Sequence, residues 1–241
     1  MRAILPTLSI LNYEGCSEYL EDFLDRIDTP RVDHVTIYYS MQEIHTSQLS
    51  RFIKRAENLK IDQFARAHVY FYPHESLFGL NRTQEAWTAI NLDLKILNKA
   101  SLEVQVRDMV QLIGQISPTF SKVDDLFAHG DTEVQFGGPD ITEWLTLFRL
   151  FPAVETLRLS GWLAVFVAAA LEGIAEDMVT DVLPALRLIR VVEVEDEEKD
   201  ADDWLEQIGS MERFLSLRQL SGCPVTVIYP EDELAEVEKR W

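Results

Sequence analysis

The sequence predicts an open α/β solenoid of about eight strand–helix units, with one sheet face uncovered, and three observations predict it. First, a phrase recurs: proline, any residue, an apolar residue, then an apolar–x–apolar pair shortly after. It reads Pro6-Thr7-Leu8-Ser9-Ile10-Leu11-Asn12-Tyr13, and returns from Pro30 to Ile37, from Pro152 to Leu159 and from Pro184 to Val191, with a weaker copy from Pro118 to Asp125. Second, the apolar–x–apolar pairs beginning at Leu11, Val35, Val69, Leu92, Val123, Leu157, Ile189 and Val225 are spaced by 24, 34, 23, 31, 34, 32 and 36 residues. Self-similarity at 20–50 residues is the mark of a repeat array. Third, each short segment alternates apolar and polar residues, which fits a strand with one buried face.

The elements follow in order. The Leu11 strand leads into a helical face of Tyr19, Leu20, Phe23, Leu24 and Ile27, with Ser17 as cap and Glu18 and Glu21 nearby. After the Val35 strand, Leu49, Phe52, Ile53 and Ala56 share a helical face that Thr46 or Ser47 opens. The Val69 strand is followed by residues 72–87, of mixed polarity and no clean period, which read as a loop. Past Leu92 come helical faces at Val106, Met109, Val110, Ile113 and Ile116, and, after Val123, at Ile141, Trp144, Leu145 and Phe148 behind Asp140. Residues 162–183 are apolar all round, which predicts a helix packed between neighbours. Trp204, Leu205, Ile208, Met211 and Leu215 make the last helical face before the Val225 strand. Six of the nine prolines sit beside or just ahead of a strand, where they stop one element and launch the next.

Such units build either a closed β/α barrel or an open leucine-rich-repeat horseshoe. Barrel strands are buried on both faces and read as continuous apolar runs. Here Leu11-Asn12-Tyr13-Glu14, Leu92-Asp93-Leu94-Lys95 and Leu157-Arg158-Leu159-Ser160 alternate. The expectation is therefore a horseshoe forming one domain over 1–241. Residues 193–203 would be a solvated acidic insertion loop, and residues 230–241 a charged tail.

Composition removes several function classes. A net charge of −19 disfavours nucleic acid and anionic membrane as partners. The longest apolar run, ten residues from Trp162 to Leu171, is too short to span a bilayer. Two cysteines, Cys16 and Cys223, and no signal-peptide pattern predict a cytoplasmic or nuclear protein with free thiols. The five histidines show no His-x-x-x-His spacing, and no phosphate loop or Gly-x-Ser-x-Gly motif occurs. His129-Gly130-Asp131 reads as a turn. No catalytic residue, cofactor or metal site is expected, and the chain reads as a non-enzyme.

What remains is the uncovered sheet face. If the strand anchors point inward, their neighbours point out. The candidate protein-binding residues are His34, Thr36, Tyr38, His68, Tyr70, Tyr72, Asn91, Asp93, Asp124, Arg158 and Arg190. Tyrosine and arginine are enriched at binding hot spots. With the Val35 and Val69 strands side by side, Tyr38, Tyr70, Tyr72, His34 and His68 would form one patch.

The wording of several segments is familiar. Phe151 to Gly161, Val182 to Leu186, Phe23 to Val32 and Phe214 to Val225 resemble the leucine-rich repeats of F-box proteins of mushroom-forming fungi, over roughly Leu5 to Tyr229. The resemblance implies the substrate-recognition region of a Skp1–cullin–F-box ubiquitin ligase, with an unknown protein target. A Skp1-type adaptor is a partner only if an F-box lies upstream, since the chain opens on a repeat strand at Leu5 to Tyr13 and no F-box is expected within it. The alternatives are a stand-alone repeat scaffold or inhibitor and, from another class, a barrel enzyme.

Overall fold

The computed structural model describes residues 2–40, 44–82, 91–97, 100–117, 120–131, 141–160, 163–192 and 211–229. The strands are β1 (Ala3–Ile4), β2 (Ile10–Gly15), β3 (Ile27–Asp28), β4 (His34–Ser40), β5 (Arg66–Phe71), β6 (Glu75–Asn81), β7 (Leu92–Leu97), β8 (Asp125–Gly130), β9 (Thr156–Ser160), β10 (Leu188–Val192) and β11 (Thr226–Ile228). The helices are α1 (Ser17–Arg26), α2 (Ser47–Arg55), α3 (Leu102–Ile116), α4 (Ile141–Arg149), α5 (Leu163–Glu172) and α6 (Glu212–Leu220).

Nine strands form one mixed sheet in the order β11-β10-β9-β8-β5-β6-β7-β4-β2, and β1 pairs with β3 apart from it. This overturns the leucine-rich-repeat solenoid. A solenoid lays each strand beside the one before it and keeps all of them parallel. Here β6 runs antiparallel to both β5 and β7. The chain leaves β4, skips two positions to β5, returns through β6 and β7 to the edge of β4, and crosses back over β6 and β5 to β8. The physical cause is the turn at Pro73–His74, where the Tyr72 N–H donates to the Glu75 carbonyl at 2.8 Å. A turn this short can join antiparallel strands but never parallel ones, which need a crossover of a dozen residues or more. Residues 75–81, expected within a loop, are thus a central strand. The sheet remains open rather than closed into a barrel.

The helices cover one face, each packed against the next in chain order. Leu11, Val35, Ile37, Val69, Phe71, Phe78, Leu94, Leu126, Leu157 and Ile189 point into a single continuous core with Leu20, Leu24, Phe52, Met109, Phe148 and Val167. Two helical expectations shift. In α1 only Leu20 and Leu24 of the expected face are buried within the helix, with Ile27 just after it, while Tyr19 is 73% exposed and Phe23 39%. The apolar stretch 162–183 forms α5 only to Glu172, then a single 3-10 turn at Glu176–Met178. Trp204, Leu205 and Ile208, the acidic segment 193–203 and the tail 230–241 lie outside the described residues.

Helix α2 takes its N-terminal cap from another helix. Thr46, one of the two expected caps beside Ser47, donates its hydroxyl to Gln115 Oε1 at 2.7 Å instead. The Glu21 carboxylate of α1 accepts from the N–H of Gln48 at 2.7 Å and of Leu49 at 3.0 Å, and from the Ser47 hydroxyl at 2.7 Å. A carboxylate there satisfies orphan donors and meets the positive end of the helix dipole. Glu21→Ala is therefore expected to lower stability by about 1–2 kcal/mol, and Glu21→Gln by less, read from urea unfolding midpoints.

Candidate functional site

The face opposite the helices carries a cluster of rings built by β5 and β8. Strand alternation sends Val69 and Phe71 inward and His68 and Tyr70 outward, with Tyr72 just beyond the strand end. It likewise sends Leu126 and Ala128 inward and Phe127 and His129 outward. The two strands are parallel neighbours with His68 beside Phe127 and Tyr70 beside His129. Tyr70 sits at the centre. Its ring centroid lies 5.2 Å from His68, 5.6 Å from Phe127, 5.5 Å from His129 and 6.0 Å from Tyr72, the last nearly parallel. Offset-stacked and edge-to-face pairs of this kind add about 0.5–1.5 kcal/mol each beyond area burial. Burial, then Tyr72 and Asp93, pushes the Tyr70 hydroxyl up to about 12, so it stays a donor at neutral pH.

Two histidines are fixed in different ways. His129 Nδ1 hydrogen-bonds the Ser160 hydroxyl on the neighbouring strand β9. Ser160 is fully buried, so no substrate reaches its oxygen, and the pair orients the ring. His68 is 1% exposed and lies across Gly79 of β6. A glycine inside a strand marks a close approach by another group, and here the group is an imidazole. Burial lowers the His68 pKa to about 4, so the ring is neutral at physiological pH.

On the other side of β6 lies a polar group. The Lys95 ammonium sits 4.7 Å from the centre of the Tyr38 ring. Burial works against its charge, but Tyr38, Asp93 and Glu75 outweigh it and hold Lys95 above the ordinary lysine value. Asp93, opposite Thr36 on β4, is raised to about 6, by burial first, with Lys95 opposing and Glu75 adding. A carboxyl whose folded pKa exceeds its unfolded value makes the fold lose stability as pH rises between the two. Asp93 thus costs about 3 kcal/mol across pH 4 to 6. Asp93→Asn is expected to stabilise the protein by about 1–3 kcal/mol at pH 7 and to change nothing at pH 4, read by urea unfolding at both values. His68 titrates in the same window with the opposite sign, and cancels because both proteins carry it.

A third group is structural. Asp125 Oδ2 meets Arg158 Nη2 at 2.8 Å and Arg66 Nε at 3.3 Å across three adjacent strands. Burial raises Asp125, while the two guanidiniums pull it back.

The structure redistributes the sequence-derived set. His68, Tyr70 and Tyr72 come together. Tyr38 does not join them, because β7 and β6 separate β4 from β5. That corrects the single patch expected from adjacent Val35 and Val69 strands. Thr36, Tyr38 and Asp93 form the polar group instead. Arg158 and Arg190 are side by side on β9 and β10. The others hold the scaffold: His34 pairs with Asp33 at 2.8 Å, and Asn91 donates to the Asp33 carbonyl and accepts from the Arg82 N–H. Asp124, expected on a strand, precedes β8, and its carbonyl accepts from Glu155 and Thr156. His129 and Gly130, expected in a turn, end that strand.

Phe127 and His129 fall outside the sequence-derived set because Val123, the expected anchor, precedes the strand, whose inward residue is Leu126. The pattern Leu126-Phe127-Ala128 was the available signal.

Among the described residues no group of three or more His, Cys, Asp or Glu is placed to hold a metal ion, and no helix is long and apolar enough to cross a membrane. No protein-family model, curated protein or solved structure matches the chain.

Proposed function

We propose that the chain is a non-enzymatic protein-binding module whose partner docks on the sheet face opposite the described helices, over Tyr70, Tyr72 and Phe127. The observation that carries this reading is the five-ring cluster of β5 and β8, half-buried at Tyr70, Tyr72 and Phe127 and backed by the His129–Ser160 hydrogen bond. Rigid aromatic groups lose little entropy when they anchor a partner, and such groups dominate binding energy. Lys95 and Asp93 on one flank and Arg158 on the other supply both signs of charge for orientation. The finer form of the proposal is a substrate receptor of a Skp1–cullin–F-box ubiquitin ligase, supported by the wording of Phe151 to Gly161 and Phe214 to Val225.

The test is quantitative affinity capture with the wild type, with Tyr72→Ala/Phe127→Ala, and with a control pair on exposed helix positions. The double variant is expected to lose at least about tenfold in partner recovery while its thermal unfolding stays cooperative. Equal recovery from a folded double variant overturns the binding face. Failure of a Skp1-type adaptor to co-purify with the natural full-length protein overturns only the ligase role.

A further inference from the structure

Asp93 is a carboxyl that the fold leaves uncompensated. Among the described residues no donor hydrogen-bonds it, and its Oδ1 is buried without a partner. The side chain as a whole is half-buried, which leaves the carboxylate within reach of solvent. A buried polar group without a partner calls for a reason. Ionising this one opposes folding. Lys95, two residues along the strand, does not answer it. Its ammonium is drawn to the Tyr38 ring of β4, 4.7 Å from the ring centre, and makes no ion pair with Asp93. Strand β6 separates Asp93 and Lys95 on β7 from His68 and Tyr70 on β5, and lays only Gly79 and Leu77 between them. The His68 ring takes the space over Gly79, so β6 forms a low strip between two taller walls. The walls stand two strand spacings apart, about 10 Å. One is Tyr70, with Tyr72 nearly parallel beside it. The other is Asp93. Glu75 opens β6 next to Tyr72. Burial, then Glu75 and Asp131, raise the Tyr72 hydroxyl, with Lys95 opposing, so two carboxylates meet one ammonium around that ring.

Building on the binding face proposed above, we propose that the partner presents an arginine side chain, its guanidinium laid over β6 between Tyr70 and Asp93. The uncompensated charge on this strip is acidic, and aromatic rings attract cations. A net charge of −19 draws basic segments from a distance. Arginine fits better than lysine: a planar guanidinium stacks on a flat ring while its edge donates two hydrogen bonds to one carboxylate, and it is more weakly hydrated than an ammonium. Arg66 and Arg158, on this same face, are held by Asp125 and do not fill the place. The guanidinium binds the ionised carboxyl, so binding expels a proton wherever Asp93 is protonated. With Asp93 at about 6, affinity falls as pH drops below that value, by about tenfold from pH 7.5 to pH 5. Facing Asp93 are Lys95 on its own strand, Thr36 and Tyr38 on β4, Glu75 on β6, and His68 and Tyr70 on β5. Burial lifts Tyr70 to about 12 and lowers His68 to about 4, both outside this window.

The probe is N-acetyl-arginine methylamide, titrated into the full chain and followed by the ring protons of Tyr70 and Tyr72 in nuclear magnetic resonance. A saturable shift of both rings is expected. The citrulline analogue, of the same shape but neutral, is expected to bind at least about tenfold more weakly, and the lysine analogue more weakly than arginine. Asp93→Asn is expected to bind the arginine probe at least about tenfold more weakly while gaining stability, a combination that a merely structural residue does not give. Glu57→Gln removes an equal charge at an exposed position after α2 and is expected to bind as the wild type does. The fall in affinity toward pH 5 is expected in the wild type and absent in Asp93→Asn. Equal binding of the citrulline analogue, tighter binding of the lysine analogue, unchanged binding by Asp93→Asn, or ring protons that do not move overturns the arginine. Should that happen while Tyr72→Ala/Phe127→Ala still loses its partner, the binding face stands without it. A double variant that keeps its partner overturns both.

Discussion

Arg218→Ala is expected to destabilise the protein by about 4 kcal/mol. The side chain has no solvent exposure, and its guanidinium is shared among four carbonyls. Nε donates to Cys223 at 3.2 Å, Nη1 to Val179 at 3.3 Å, and Nη2 to Leu186 at 2.9 Å and Pro184 at 3.4 Å. Burial lowers its pKa. These carbonyls belong to loops that carry no helix or strand ladder of their own, so the planar fork takes the place of secondary structure. Truncation removes donors from four acceptors and opens a cavity in one step. Arg218→Lys should recover little, because a compact ammonium cannot span the fork. Arg218→Met should lose less than alanine, because it fills the volume, yet remain well below the wild type. Urea unfolding measures the total, and hydrogen exchange should show loosening centred on residues 179–188 and 218–226. A loss within 1 kcal/mol for alanine would remove this account of the C-terminal units.

Gly79→Ala is expected to cost about 3 kcal/mol. A Cβ at this position would stand 2.0 Å from His68 Nε2 and 2.2 Å from Cε1. The ring has nowhere to go: it is 1% exposed, with Tyr70 at 5.2 Å. The clash displaces the imidazole into the cluster that forms the binding face, so partner recovery should fall with stability. The coupling has a clean signature. Gly79→Ala/His68→Ala should be more stable than Gly79→Ala alone, although His68→Ala by itself is destabilising. Additive costs would show that the two residues do not touch.

Much of the fold was legible because alternation and helical period are local. The anchors at Leu11, Val35, Val69, Leu92, Leu157 and Ile189 all fall in strands with their inward residues correctly assigned. What the sequence did not show was neighbourhood. Residues 75–81 carry a mid-strand glycine and lack β-branched residues, so local preference argued against a strand; tertiary pairing on both sides overrode it. That one strand reorders the sheet, parts Tyr38 from Tyr70 and brings His129 to Tyr70. The candidate site was legible to the same degree: His68, Tyr70 and Tyr72 share one strand and its end and were found together, while Phe127 and His129 depend on a non-local pairing. Tyr19 and Phe23 fit the helical period of a buried face, yet among the described residues α1 has no neighbour on that side, and they stay exposed.

The central claim is that the antiparallel insertion of β6 sets β5 against β8 and so builds the aromatic face. Engineered disulfides test it most directly. In a chain with Cys16 and Cys223 replaced by serine, Tyr70→Cys with His129→Cys should oxidise rapidly, since the two are register partners on adjacent strands. Tyr38→Cys with Tyr70→Cys should not, being three strands apart. Rapid closure of the second pair and none of the first would mean strands stacked in sequence order, and would contradict both the fold and the site described here.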